Sequence, residues 1–349
     1  MNLYRKLEHN QTYIIAEMSA NHAGSYERAV EIVHAVKASG ADCIKLQTYT
    51  PDTITIDCDK KYFHINGGTW NGENLYSLYK KAYTPWEWQE DLKKEAERIG
   101  LDFLSTPFDK TAVDFLEEIG VEFYKIASFE LVDIPLIEYI ASKRKPIVMS
   151  TGMGSFEEIQ DAVEAIKKAG NENIVLLRCA SAYPAVSDSM NLNTMVDMKN
   201  QFGVPVGLSD HSMGSIGAVS AVAMGASVIE KHFCLSRGIE NPDSTFSMEP
   251  EEFRKMVEDI RIVEKAKGVV HYGPTKEEMS NVDFRRSIFV VKDINKGEIF
   301  TEENIRVIRP AYGMAPKYYK EVLGQKAACD IGYGEPLKFE MIHQKNRFA

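Results

Sequence analysis

Val206-Gly207-Leu208-Ser209-Asp210-His211 and Ser227-Val228-Ile229-Glu230-Lys231-His232 decide the reading of this chain: each is an apolar run that ends in polar residues and a histidine. As consecutive strands of a parallel sheet they would lie about 4.8 Å apart, so imidazoles leaving the same ends could converge on one divalent ion. Lys231, beside His232, offers a cation for an anionic ligand. The alternative is two ordinary polar residues at strand ends, and the rest of the sequence decides between them.

Outward from that pair, short apolar runs alternate with stretches of helical period as far as about residue 265, the pattern of repeated βα units. Strands are expected at Tyr13–Ala16, Cys43–Gln47, Asp102–Ser105, Phe123–Ile126, Ile147–Met149, Ile174–Leu177, Val206–Leu208 and Val228–Glu230. Helical patterns include Tyr26–Ser39, Pro85–Ile99, Phe156–Ala169 and Pro250–Lys265. Gly40, Gly100, Gly120 and Gly170 follow helical patterns where a left-handed residue ends a helix, and Ser155 stands as an N-cap. Eight units without a GxGxxG after the first strand favour a closed (β/α)₈ TIM barrel over an open doubly wound sheet. The one long excursion, from about Thr50 to Tyr83, is aromatic-rich and reads either as a lid or as a local mini-core.

After Lys267 the composition changes, and a β-rich segment begins near Ser287. The expected organisation is a barrel over 1–268, a linker over 269–283 and a small β-rich domain over 284–349. With 349 residues, 44% hydrophobic and 26% charged, the chain has a sizeable core and an ordinary globular composition. A net charge of −10 argues against nucleic acid or an anionic membrane as partner and for a small-molecule ligand. The five scattered cysteines contain no CxxC pair, and no run approaches the roughly 18 apolar residues of a membrane span. A cytoplasmic protein is the expectation.

Barrel enzymes carry their chemistry beyond the strand C-termini. Those positions hold Glu17; Lys45 and Gln47; Lys125, Ser128 and Glu130; Thr151; Ser181 and Tyr183; Ser209 and His211; and His232. Lysines in apolar strands are expensive unless they meet an anion or a carboxylate. Lys45, Lys125 and Lys231, with the hydroxyls of Ser128, Thr151, Ser181 and Ser209, suit a phosphate and a carboxylate, although a salt bridge to Glu17 or Glu130 would also account for any one lysine. Histidine, carboxylate and water ligation suits Mn²⁺, Zn²⁺ or Fe²⁺ acting as a Lewis acid. Spacing alone reaches a metal-dependent barrel enzyme acting on a small anion.

The motifs also resemble a known family. They are Ala16-Glu17 with Asn21-His22-Ala23-Gly24, Lys45-Leu46-Gln47-Thr48, Ser105-Thr106-Pro107-Phe108, Lys125-Ile126-Ala127-Ser128, Ser150-Thr151-Gly152-Met153, Ser209-Asp210-His211, Glu230-Lys231-His232, Pro242-Asp243 before Phe246-Ser247, and Arg309-Pro310. In order and spacing they are similar to the sialic acid synthases, which condense phosphoenolpyruvate with an amino sugar to give nine-carbon acids. The resemblance implies a TIM barrel followed by an antifreeze-like (SAF) domain, in a homodimer whose tails are swapped. It implies His211 and His232 as ligands of a divalent metal, Mn²⁺ first and Mg²⁺ or Co²⁺ as alternatives. Lys45, Lys125, Ser128, Thr151, Ser181 and Ser209 would bind phosphoenolpyruvate. Gln47, Tyr183, Asp243 and the partner's Arg309 would face the sugar, and Glu17 and Glu130 would be catalytic. Ser181, where N-acetylneuraminate-forming members carry Asn, and Ala127-Ser128-Phe129 imply a less polar pocket. Together with Tyr49-Thr50-Pro51-Asp52, Trp70-Asn71-Gly72 and Ala82-Tyr83-Thr84-Pro85-Trp86-Glu87-Trp88, that is similar to the branch that takes 2,4-diacetamido-2,4,6-trideoxyaltrose to pseudaminic acid. N-acetylneuraminate or legionaminate chemistry is the alternative, and a non-catalytic carbohydrate- or ice-binding protein is the competing class.

Overall fold

A computed structural model describes residues 3–343. Eight parallel strands, β1 (Tyr13–Glu17), β2 (Cys43–Thr48), β3 (Asp102–Pro107), β4 (Tyr124–Ile126), β5 (Ile147–Ser150), β6 (Ile174–Cys179), β7 (Val206–Asp210) and β8 (Val228–His232), form one sheet in the order β3-β2-β1-β8-β7-β6-β5-β4. The β1–β8 ladder joins first strand to last, and β3 lies beside β4, so the sheet closes as a barrel. Several strands run one or two residues past their expected ends, because polar residues there still make ladder hydrogen bonds: Glu17 pairs with His232.

Helices follow the strands: α2 (Tyr26–Ala38), α5 (Trp86–Arg98), α6 (Lys110–Glu118), α7 (Ile134–Ser142), α8 (Phe156–Lys168), α9 (Asn193–Phe202), α10 (Ile216–Ala223) and α11 (Pro250–Lys267). Their boundaries have local causes. Ser155 and Glu158 form a reciprocal capping box at the start of α8. The helix before Gly40 stops there because φ is +83°, with Val257 Cγ1 only 3.2 Å from where a Cβ would sit. A short helix missed in the sequence, α1 (Leu3–Glu8), places Leu3 in the barrel interior with Tyr13, Phe123 and Val228. Its few residues offer too little periodicity to read.

Strand alternation then sorts every side chain. On β1, Ile14 and Ala16 join the layer beneath the helices, while Tyr13 and Ile15 fill the barrel. Cys43, Leu104, Phe123, Val148, Val175, Leu177 and Val228 complete that inner apolar layer. One pleat further along the same strands stand Glu17, Lys45, Lys125, Ser150, Cys179, Ser209 and Glu230. Their shared level follows from period-two geometry on a floor of packed hydrocarbon.

The segment between β2 and α5 carries two short helices, α3 (Pro51–Ile54) and α4 (Leu75–Ala82). Asn74 caps α4 by accepting from the Tyr76 and Ser77 amides. A second compact unit starts at Val269 and has its own core, including Ile288, Val290, Phe300, Ile305, Val322 and Leu337, around the antiparallel pair β9 (Ser287–Val290) and β10 (Ile305–Ile308). Among the described residues no helix is long and apolar enough to cross a membrane, and all five cysteines are free.

Candidate active site

A cavity of about 500 Å³ opens at the C-terminal end of the barrel. At its floor Lys45 Nζ lies 3.0 Å from Glu17 Oε2 and 2.7 Å from Glu230 Oε1, and Lys125 Nζ lies 2.9 Å from the same Glu230 oxygen. The Ser209 hydroxyl donates to that oxygen at 3.1 Å. The two ammonium groups and two carboxylates are all nearly inaccessible to solvent. Burial pushes the Glu17 carboxyl up, but Lys45, His232 and Lys125 outweigh it and hold it far below the usual range. For Lys45 burial pulls the other way, and Glu17 and Glu230 together keep it charged. Lys125 is held below its ordinary value by burial and by Lys45, against the pull of Glu230. The floor is thus a neutral, preorganised lattice of charges.

Above it stand His211 and His232, ring centroids 5.4 Å apart. His211 Nδ1 lies 3.2 Å from the Ala180 carbonyl and 3.7 Å from Cys179 Sγ, which directs Nε2 away from both. Burial pushes the Cys179 thiol up, and the adjacent His211 brings it down to about 7. His232 Nε2 is 3.2 Å from Glu17 Oε2, and burial holds its imidazole below the ordinary value against the pull of Glu17. The Tyr183 ring lies over His211 at 4.3 Å.

Among the described residues, seven buried side-chain polar atoms lack a hydrogen-bond partner, and four of them, Glu130 Oε2, Ser150 Oγ, Glu230 Oε2 and His232 Nδ1, belong to residues lining this one cavity. Buried polar atoms are nearly always satisfied, so such a concentration marks a place for a ligand. Glu130 makes no ion pair with either floor lysine; burial drives its carboxyl up to about 7. Gln47 donates to Glu17 Oε1 at 2.8 Å and to Ser19 Oγ at 3.0 Å, and Asp243 accepts from the Ala20 amide at 3.1 Å.

Of the residues singled out in the sequence, Glu17, Lys45, Gln47, Lys125, Ser128, Glu130, Tyr183, Ser209, His211, His232 and Asp243 line the cavity together. Ser181 approaches it indirectly: a Cβ on Gly152 would meet Ser181 Oγ at 2.1 Å and Ser128 Oγ at 2.7 Å, so only glycine lets those hydroxyls draw together. Thr151 does not line the cavity; its hydroxyl donates to the Leu177 carbonyl at 3.1 Å. Arg309 is an exposed residue of the second unit, ahead of a cis peptide bond to Pro310. Lys231 corrects the sequence reading. It points outward, 2.9 Å from Asp210 Oδ2, because alternation from Glu230 puts it on the helix side of β8. The residue whose weight was missed is Glu230, and counting pleats back from His232 would have found it.

The excursion between β2 and α5 resolves in favour of the cavity. Ile54, Ile65, Trp70, Leu75, Leu78 and Tyr79 form part of its wall. Trp70 Nε1 donates to the Pro242 carbonyl at 2.9 Å, and the Thr69 hydroxyl donates to the Tyr183 carbonyl.

A closed parallel barrel with buried cations, unpartnered carboxylate oxygens and two imidazoles at its C-terminal mouth has the architecture of a barrel enzyme. The chain belongs to the NeuB family, whose model matches residues 32–272, and a SAF domain follows at residues 285–343. It is 46% identical over 328 residues to a pseudaminic acid synthase of Campylobacter jejuni, covering 94% of this chain and 96% of the relative. It is 44% identical over 333 residues to a pseudaminic acid synthase of Helicobacter pylori, covering 95% and 98%. The crystal structure of an N-acetylneuraminic acid synthetase from Leptospira borgpetersenii superposes with a TM-score of 0.70 at 31% identity, covering 79% of this chain and 92% of that one.

Proposed function

We propose that this protein is a transferase that condenses phosphoenolpyruvate with 2,4-diacetamido-2,4,6-trideoxy-β-L-altropyranose and water, giving pseudaminic acid and phosphate. The observation that carries the reading is the floor of Lys45, Lys125, Glu17 and Glu230 beneath two imidazoles, in a chain so similar to pseudaminic acid synthases. Lys45, Lys125, Ser209 and Ser128 hold the phosphate and carboxylate, with Ser181 completing the hydroxyl set. Gln47, Tyr183 and Asp243 face the open-chain sugar. The enol carbon attacks the sugar aldehyde, water adds to the resulting cationic carbon, and the tetrahedral intermediate expels phosphate by carbon–oxygen cleavage. Glu17, ionised and fixed by Lys45 and Gln47, stabilises that cation. Glu130, raised to about 7, exchanges a proton with the water or the departing oxygen.

Charge bookkeeping supports a divalent cation. Both floor lysines are already balanced by Glu17 and Glu230, so a multiply charged anion needs further positive charge to enter. The residues fit one: His232 Nδ1 is buried and unpartnered, and His211, held through Nδ1, presents Nε2. No group of three or more His, Cys, Asp or Glu side chains stands at ligating distance among the described residues, so substrate and water would supply the other positions. Held by His211 and His232, Mn²⁺, or Mg²⁺ or Co²⁺, would polarise the aldehyde oxygen.

A homodimer is also part of the reading. Phe129, Val132, Met153, Val186, Met213 and Ile216 are 59%, 60%, 61%, 65%, 52% and 81% exposed in the connections after β4 to β7, Ile216 at the start of α10, an apolar rim suited to a second copy. Arg309 of the partner subunit would then contact the sugar's acyl-amino group. Mixing His232→Ala with Arg309→Ala protomers tests this, since each mixed dimer assembles one intact site. About a quarter of wild-type activity should return, and no recovery would exclude the exchange. The free cysteines fit a reducing cytoplasm.

The first experiment is phosphate release from phosphoenolpyruvate with Mn²⁺, offering the deoxy diacetamido sugar or N-acetylmannosamine, each with a chelated control. Chelator-sensitive release with the deoxy sugar alone is expected. Release with N-acetylmannosamine alone would retain the chemistry and overturn the substrate, and release unaffected by chelation would overturn the metal.

A further inference from the structure

The cavity has two unlike halves. Its floor is charged, whereas the segment between β2 and α5 lines it with the apolar side chains of Ile54, Ile65, Leu75 and Leu78. Of the polar side-chain atoms this segment brings to the cavity, Trp70 Nε1 is committed to the Pro242 carbonyl, which leaves the hydroxyls of Tyr49 and Tyr79, whose rings meet edge-on at 5.6 Å. Ile54, Ile65 and Leu75 are only half-buried, so they hold apolar surface at the cavity without being locked into the barrel core.

The substrate chemistry described above fixes which end of the sugar meets which half. Bond formation at C1 must occur over the charged floor, next to the imidazoles, so the far end of the chain, C6 and the 4-acetamido methyl, is directed away from it. We propose that the apolar wall made by Ile54, Ile65 and Leu75 receives the C6 methyl and is the specificity element that rejects sugars bearing a C6 hydroxyl. This rests on the reading of the substrate as a 6-deoxy sugar. A hydroxyl forced against Ile54, Ile65 and Leu75 loses its water and meets no polar side-chain atom on those three residues, which in an apolar pocket amounts to roughly 10- to 100-fold discrimination.

The test compares kcat/KM for the 6-deoxy diacetamido sugar with that for the same sugar carrying a C6 hydroxyl, in wild type, Ile65→Thr, Leu75→Gln and the double variant. Leu75→Met serves as the conservative control, and thermal melts verify folding. Each polar variant should cut the preference for the deoxy sugar about 10-fold, mostly through KM, with kcat held within a few-fold because no reacting atom touches the wall. Leu75→Met should restore wild-type selectivity. If folded single variants lower both substrates equally or keep the wild-type ratio, the assignment of the wall is overturned while the substrate reading stands. Wild-type turnover confined to N-acetylmannosamine would overturn the substrate reading, and this inference with it.

Discussion

Glu230 and Lys231 are neighbours on β8, both buried and both ion-paired, yet they belong to different parts of the protein's chemistry. Glu230 faces the barrel interior, where one of its oxygens gathers Lys45, Lys125 and Ser209 and the other is left unpartnered beside the cavity. Lys231 faces the helices and spends its ammonium on Asp210 Oδ2 at 2.9 Å and the Ser212 carbonyl at 2.5 Å. The inner cluster retains unused hydrogen-bonding capacity; the outer one is saturated. Burial of charge is therefore no marker of function here. Unspent capacity is the better one.

Breaking each cluster by one residue should separate the two roles, and these are the largest effects expected. Lys125→Met removes a cation assigned to the anionic substrate and should lower kcat/KM for phosphoenolpyruvate by on the order of 10²–10³. Lys231→Met strands the fully buried Asp210 carboxylate, which costs about 3–5 kcal/mol and should lower Tm by roughly 10 °C. The enzyme that remains folded should turn over within about twofold of wild type. Steady-state kinetics at low temperature with a calorimetric melt reads both, and a large kinetic loss in folded Lys231→Met would erase the distinction.

A smaller effect is expected at Glu130, whose unpartnered oxygen puts it in the same class as Glu230 but without a compensating lysine. Its carboxyl sits at about 7 in the folded chain against an ordinary 4.5. Between those values the folded state holds a proton that the unfolded state has lost, so stability falls as pH rises through that window, and the penalty is complete above about 7. Glu130→Gln should therefore melt higher than wild type at pH 8, by a few degrees on the order-of-magnitude scale for a chain of this size, and the gap should close as pH falls below the ordinary 4.5. The same variant should turn over on the order of 10²-fold slower and lack the bend in log(kcat/KM) expected of wild type near pH 7. A variant less stable than wild type at pH 8 would remove the case for a strained, functional carboxyl.

Much of this contrast was legible in the sequence. Eight apolar runs with helical spacers predicted the barrel, and polar residues at the strand ends predicted most of the cavity lining, because both follow from local periodicity. Lys231 departs from the expected set because side chains alternate along a strand, and Glu230 inward requires Lys231 outward. Thr151 turned to the Leu177 carbonyl for a related reason: hydroxyls near strand ends find backbone acceptors as readily as ligands. The apolar wall opposite the floor was beyond reach, since which side chains of residues 51–82 face the cavity is set by tertiary contacts such as Trp70 to Pro242.

The smallest effect sharpens the comparison from outside. Arg237 makes a two-pronged ion pair with Glu252 at 2.6 and 2.8 Å at the start of α11, with nearly a third of its side chain open to water. Its geometry is at least as good as that of Lys231 with Asp210, so distance alone would rank the two equally. Solvent decides otherwise: water and salt stabilise each Arg237 partner once it is separated, whereas a stranded Asp210 has nothing to replace Lys231. Arg237→Gln should therefore cost at most about 1 kcal/mol, and raising the salt to 1 M should shrink the gap from wild type. The Lys231→Met gap should stay nearly unchanged by the same salt. If both gaps respond alike, the outer cluster on β8 is wetter than its burial implies, and the contrast between its two neighbouring charges would have to rest on orientation alone.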